Sequence, residues 1–314
     1  MNNIYKSLLA LCVIVLLFGA CKREPLHDRS QGVQLVLVPD LEEDDSTQWV
    51  KPKLPTMMKT ILYNYQTGKM VGEYYTGPYG GYLDGVQPGT YTVLSYDFGT
   101  VTTRISDEHS YEDALAFVNV ITDADYFETT RAAAAGAVLE EPDHLLVGRA
   151  EQVVIPFLTV EDTTFTIRED VKTIHDSYYL EIDSLKGVEH IIETKVYLTS
   201  HMPSNKFGLD LRTQQSNVLY ISSLKPDLEQ YNLHTTFCTF GKYFNTTESA
   251  YARIEITTTG GQKYRFERDI TEQYLKDDHR LIIILNTEVK PLPEGGIIPK
   301  VHEWEAIIED IDLM

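Results

Sequence analysis

The chain has 314 residues, with 27 Lys and Arg against 47 Asp and Glu, a formal net charge of −20. A nucleic-acid binder needs a basic surface to displace counterions from phosphate, so this balance excludes that class. Hydrophobic residues at 43% support a folded chain long enough for two domains. Three Cys are too few for a disulfide scaffold.

Lys6 places a positive charge ahead of an apolar run of eleven residues, Leu8 to Phe18. A membrane-spanning helix needs about twenty apolar residues, so residues 1–20 read as a cleaved signal peptide. The run ends in Leu17-Phe18-Gly19-Ala20-Cys21. Small residues before a Cys resemble a bacterial lipobox, which predicts lipidation of Cys21 and membrane anchoring through acyl chains. Residues 21–31 then form a lipidated tether. Lys22 stands where an inner-membrane retention signal would have Asp. The expected address is the outer membrane, lipid-anchored, at the cell surface.

Val33 to Val38 reads as a β-branched strand. Residues 39–55 break the pattern with prolines and Glu42-Glu43-Asp44-Asp45. A calcium loop supplies about six to eight oxygens around a sharp turn; this run has no Gly to make one and reads as a solvated loop. Ile61–Tyr65, Val71–Tyr75, Tyr91–Tyr96 and Val101–Ile105 are short β-rich runs separated by Gly68, Gly80-Gly81, Pro88-Gly89 and Gly99, the pattern of a sandwich. Ser110 to Thr122 reads as one short helix, with Tyr111, Leu115 and Val118 at helical spacing and Ser110 and Asp113 as a capping box. Ala132 to Ala135 has helix propensity without an amphipathic face. Leu145–Val147 and Gln152–Ile155 return to β character.

A second β-rich block starts near Arg168. Tyr178–Ile182, Ile191–Thr199, Val218–Ile221 and Thr235–Phe240 read as strands. Tyr251 to Glu267 reads as a hairpin turning at Thr259-Gly260-Gly261. Its alternation of Ala252, Ile254 and Ile256 with Arg253 and Glu255 predicts one buried and one wet face. Leu281 to Leu285 is apolar throughout, as a strand covered on both sides would be, and Trp304 to Met314 reads as a terminal strand with an acidic face. The boundary falls between Val160 and Arg168, giving an N-terminal domain at 32–165 and a C-terminal one at 166–314. Cys238, alone in the mature chain apart from Cys21, reads as a small buried hydrophobe.

Several segments together resemble the fimbrillin superfamily of Bacteroidetes lipoproteins, in a branch near pilus anchor and accessory subunits. They are Val86-Gln87-Pro88-Gly89-Thr90-Tyr91 running to Tyr96, Glu141-Pro142-Asp143-His144-Leu145-Leu146-Val147-Gly148, Thr236 to Gly241, Phe266-Glu267-Arg268-Asp269-Ile270-Thr271, and Gly295-Gly296 followed by Val301 and Trp304 to Met314. Asp97 stands where the superfamily commonly has Asn. The resemblance implies an all-β chain of two tandem transthyretin-like β-sandwich domains and a role in fimbria assembly, anchoring or adhesion without chemistry. It further implies that polymerising relatives lose their first strand to a protease, opening a groove for a partner's strand. Here that strand is Val33–Val38. Lys53 is the possible processing site, because Pro52 blocks cleavage after Lys51.

Chemistry is weakly signalled. His190 and Glu193, and Asp277-Asp278-His279, have no matching third metal ligand in the sequence, and no HExxH, G-x-S-x-G or P-loop motif occurs. No cofactor or metal is expected. Tyr74-Tyr75, Tyr79, Tyr82 and Tyr178-Tyr179 either line a glycan-binding face or suit half-buried strands. Asp45-Ser46-Thr47, Asp162-Thr163-Thr164 and Asp183-Ser184-Leu185 resemble an O-glycosylation triplet. The expected function is a non-enzymatic surface lipoprotein acting through strand-edge contacts with other fimbrial subunits or surface proteins. A surface glycan-binding lipoprotein is the alternative, and a divergent hydrolase the third reading.

Overall fold

The computed structural model describes residues 32–42, 47–122, 136–158, 164–222, 224–243, 249–276 and 278–291. The first ten strands are β1 (Gly32–Pro39), β2 (Met58–Asn64), β3 (Met70–Thr76), β4 (Gly80–Leu83), β5 (Gly89–Asp97), β6 (Thr103–Ser106), β7 (Leu115–Val118), β8 (Val138–Leu139), β9 (Leu146–Ile155) and β10 (Thr164–Thr173). Then follow β11 (Asp176–Lys186), β12 (Ile191–His201), β13 (Ser204–Lys206), β14 (Leu211–Arg212), β15 (Asn217–Ile221), β16 (Lys225–Asp227), β17 (Asn232–Thr239), β18 (Tyr251–Thr258), β19 (Lys263–Asp269), the one-turn helix α1 (Thr271–Tyr274) and β20 (Arg280–Glu288).

A seven-stranded sheet, ordered β3-β2-β5-β9-β10-β1-β4, builds the first sandwich. β9 pairs with β10 only over Leu146–Gly148, and with β5 along nearly its whole length. The sheet folds over at that junction into two layers. Val33, Leu35, Leu37, Leu62, Val93, Ile167 and Val171 fill the space between them. The opposite side of β2 and β5 contributes Ile61, Tyr63, Leu94 and Tyr96 to a second core. Strands covered on both faces read as continuous apolar runs, which is why β2 and β5 do.

The second core is shared between the halves. Its outer wall is the sheet β14-β13-β7-β6, in which β7 of the first half pairs with β13 of the second. Met202, Phe207 and Phe240 join Tyr111 and Ala116 within it. The C-terminal sandwich stacks β16-β17-β11-β20 on β19-β18-β12-β15-β8, around Leu180, Ile182, Val196, Leu198, Phe237, Ile254 and Ile283. β8 crosses from the first half to pair in parallel with β15.

Four sequence expectations change. β10 pairs with β1 from Gly32↔Thr164 to Pro39↔Val171, so sheet membership switches after Thr173, and a division at 165/166 cuts through a strand. The helix expected over Ser110–Thr122 is a turn closed by Ala114 N–H to Ser110 O (3.0 Å), followed by β7. Ala114, Ala116 and Val118 are its buried set; period two overrides the helical spacing because β6 and β13 flank the segment. The hairpin β18–β19 forms, yet its charged face is also covered: Arg253 and Glu255 are 1% and 6% exposed. Arg253 pairs with Glu255, Arg265 Nε lies 3.3 Å from the same carboxylate, and Arg253 stacks over the Tyr197 ring. β20 shows the reverse: Leu281, Ile283 and Leu285 are buried while Ile284 is 53% exposed, because only one face of its sheet packs into the core.

Candidate functional site

β1 lies between β10, parallel to it, and β4, antiparallel to it. Its odd-numbered residues Val33, Leu35 and Leu37 are at most 2% exposed. Burying three such side chains contributes about 5–8 kcal/mol before entropy. Gly80 of β4 makes the close approach: at φ +93°, a Cβ there would stand 2.1 Å from the Leu35 carbonyl oxygen. β1 is thus built into the interior of the sheet, and its loss would expose the core of the first sandwich.

The segment after β1 is held across the two halves. Asp40 N–H bonds Val171 O at 2.8 Å. Trp49 N–H donates to Ser177 Oγ at 3.2 Å, and its ring packs on Tyr179 with centroids 5.0 Å apart. Pro52 and Pro55 are buried, and Lys53 between them is exposed.

Free edges are guarded unequally. On the outer side of β20, Gln273 of α1 donates from Nε2 to Ile282 O (2.8 Å) and accepts Ile282 N–H at Oε1 (2.7 Å). One side chain thereby occupies the backbone sites that an added strand would use. Arg280 N–H is met by Asp278 at 3.2 Å. β4 and β16 are short, and β16 carries Pro226. β3 is a seven-residue edge on which Val71 and Tyr75 are 58% and 49% exposed. Phe98, itself exposed, packs edge-on against Tyr75 at 5.1 Å. Lys59 lies beneath them, bonded to Glu73 (3.1 Å) and Glu108 (2.8 Å).

The residues singled out for chemistry do not converge. Cys238 is buried on β17; burial first, then the Glu141, Asp143 and Asp176 carboxylates, push its thiol up. His144 Nε2 stands 3.7 Å from its sulfur, and burial lowers that imidazole's own value, so no thiolate is favoured. His190 contacts Glu189 at 3.6 Å, whereas Glu193 faces Lys195 and Thr257. His279 stacks on Tyr178 and bonds Ser177 O. Among the described residues, no group of three or more His, Cys, Asp or Glu could hold a metal. Cys21, Glu43 to Asp45 and Asp277 lie outside them.

The tyrosines divide as well. Tyr178 is core, and Tyr179 is covered by Trp49. Tyr82 points away from the core that its neighbour Leu83 enters, and Tyr75 away from the same core that Tyr74 borders. These two rings therefore lie on opposite outer surfaces of the sandwich and form no single platform. Thr47 of the first glycosylation triplet is 2% exposed, and Ser184 of the third sits part-buried at a bulge in β11.

A family profile described as "Domain of unknown function (DUF5119)" matches residues 27–221. The chain belongs to this family. No curated protein sequence matches. A solved structure of a candidate adhesin from Bacteroides ovatus aligns at TM-score 0.57 and 18% identity, covering 83% of this chain and 93% of that one. The fimbrial anchor protein Mfa2 from Porphyromonas gingivalis aligns at 0.47 and 14%, covering 80% and 90%. Candidate polysaccharide-binding proteins from Bacteroides thetaiotaomicron align at 0.46 and 10%, covering 80% and 90%. At 18% identity the first of these shows a shared fold.

Proposed function

We propose that this protein is a non-enzymatic cell-surface lipoprotein, tethered through Cys21, that serves as a fimbrial anchor or accessory subunit or as an adhesin. It acts by strand-edge contact with other fimbrial subunits or surface proteins. The observation that carries the reading is β1, seated between β10 and β4 with its apolar side chains enclosed. We infer that this strand stays uncut; kept in place it leaves no groove to fill, so the chain terminates or joins an assembly at its open edge. The adhesin role assigned to the Bacteroides ovatus relative supports the same class of function.

Crosslinking on intact cells followed by recovery of this protein from the outer membrane tests the reading. Other surface subunits should be recovered with it, and the crosslinks should fall on β3 and its flanks. Recovery free of protein partners, with tight binding to polysaccharide, would reverse it in favour of glycan recognition.

A further inference from the structure

The core beneath β1 contains a carboxyl group with no hydrogen-bond partner. Glu169 on β10 is 1% exposed, and it shares the inward face of its strand with Ile167 and Val171. In the parallel register its neighbour on β1 is Leu37, which offers no polar atom. Space for the carboxyl comes from Gly148 on β9: a Cβ built there would lie 3.0 Å from Glu169 Oε2. Neither carboxyl oxygen completes a hydrogen bond. A charge held this way is costly, whereas the neutral acid is tolerated.

We propose that Glu169 makes the seating of the first strand depend on protonation: β1 is held closed over the neutral acid and is released more often when the acid ionises. The geometry selects β1 as the element that yields. Along the chain β1 is linked to the next strand through residues 40–57, and its outer neighbour is the four-residue edge strand β4, whereas β9 lies between the longer strands β5 and β10 and β10 between β9 and β1. Local opening of the N-terminal strand hydrates the carboxyl at lower cost than global unfolding.

The groups facing Glu169 do not reverse this. They are the Thr60 and Ser95 hydroxyls of β2 and β5, bonded to each other at 2.9 Å, the bare backbone of Gly148, and Leu37. Tyr111, which its charge reaches from the 110–113 turn, is a phenol pushed up to about 12, chiefly by burial and then by Glu151. Arg149 acts on that phenol, but its guanidinium is bonded to Phe207 O and lies near Asp210.

Burial raises the Glu169 carboxyl from its ordinary 4.5 to about 7; the Ser95 hydroxyl, already bonded to Thr60, lies near enough to offset a little of the rise but completes no hydrogen bond to it. The sign follows directly. A raised value means the closed state holds the proton more tightly, so closure is fullest below about 4.5 and is lost as pH rises toward 7. Linkage between 4.5 open and about 7 closed raises the open population about 70-fold from pH 5 to pH 8.

Hydrogen exchange of the full chain, with intrinsic rates corrected for pH, reads this at the amides of residues 33–38. Protection there should fall by tens of fold from pH 5 to pH 8, while the amides of β11 and β17 hold steady. Glu169→Gln should flatten the response, which separates Glu169 from Glu141, also raised to about 7 by burial but bonded to Cys238 N–H. If that variant fails to fold, isotope-edited infrared titration of the wild-type carboxyl decides, with a neutral acid at pH 6 expected. An ionised Glu169 at pH 6, pH-independent protection of residues 33–38, or the same response in Glu169→Gln would overturn the proposal.

Discussion

Truncating Leu35 tests whether β1 is a structural member of the first sandwich. Leu35 is 1% exposed, with Ile167 and Gly81 as its cross-strand neighbours. Leu→Ala in a packed core costs about 2–5 kcal/mol, of which roughly 3 is expected at a site bounded by two strands. Val36 faces the other way and is only half-buried. Val36→Ala loses β-propensity and little packing, about 0.5 kcal/mol. Urea unfolding followed by tyrosine fluorescence should show a lower midpoint for Leu35→Ala at unchanged slope, and a midpoint near wild type for Val36→Ala. The thermal midpoint should fall by about 6–12 °C for the first and about 1–2 °C for the second. Equal shifts, or a Leu35→Ala cost below about 1 kcal/mol, would show that β1 rests on the sandwich without closing it.

Three further outcomes follow. Asp143 accepts N–H bonds from Val101, Thr102 and Thr103 and a hydroxyl bond from Thr102; burial pushes its carboxyl up, but these donors outweigh it and hold the group below 3.8. Its contribution is full above 3.8 and is lost as pH falls from there through the group's lowered value, so Asp143→Asn should cost about 2 kcal/mol at pH 7 and progressively less as pH falls below 3.8, read from paired urea curves; a constant cost across pH refutes the charge argument. Cys238 should resist a thiol reagent in the native protein and react once unfolded, and native labelling at the unfolded rate would place it outside the core. Gly80→Ala, forced against the Leu35 carbonyl at positive φ, should cost about 2 kcal/mol or more; wild-type stability in urea would mean that β4 and β1 can part without penalty.

Much of the fold was legible because turns and β-branched runs report local geometry. β2, β5, β11, β12 and the β18–β19 hairpin all fall where alternation and Gly punctuation place them. What failed depended on tertiary neighbours. Leu115 and Val118 share a helical spacing with Tyr111, but Ala116 between them also packs in a core, a fact set by β13 far along the chain. Arg253 and Glu255 look solvated by type, yet each supplies the other's countercharge and both are covered. Ile282 and Ile284 look buried by type, yet they lie on the outward face of an edge strand. The edge guard was invisible for a related reason: Gln273 is an ordinary polar residue until α1 sets its amide against Ile282. Glu169 was likewise one acid among 47 in the chain, and only the strand register places it beside Leu37.

The central claim is that the first strand stays in place on the cell. Intact mass and N-terminal peptide mapping of the protein recovered from the outer membrane test it most directly. The account predicts a chain that begins at an acylated Cys21 and retains residues 32–39 within one unbroken polypeptide. A mature N-terminus at Leu54, following cleavage after Lys53, would contradict it.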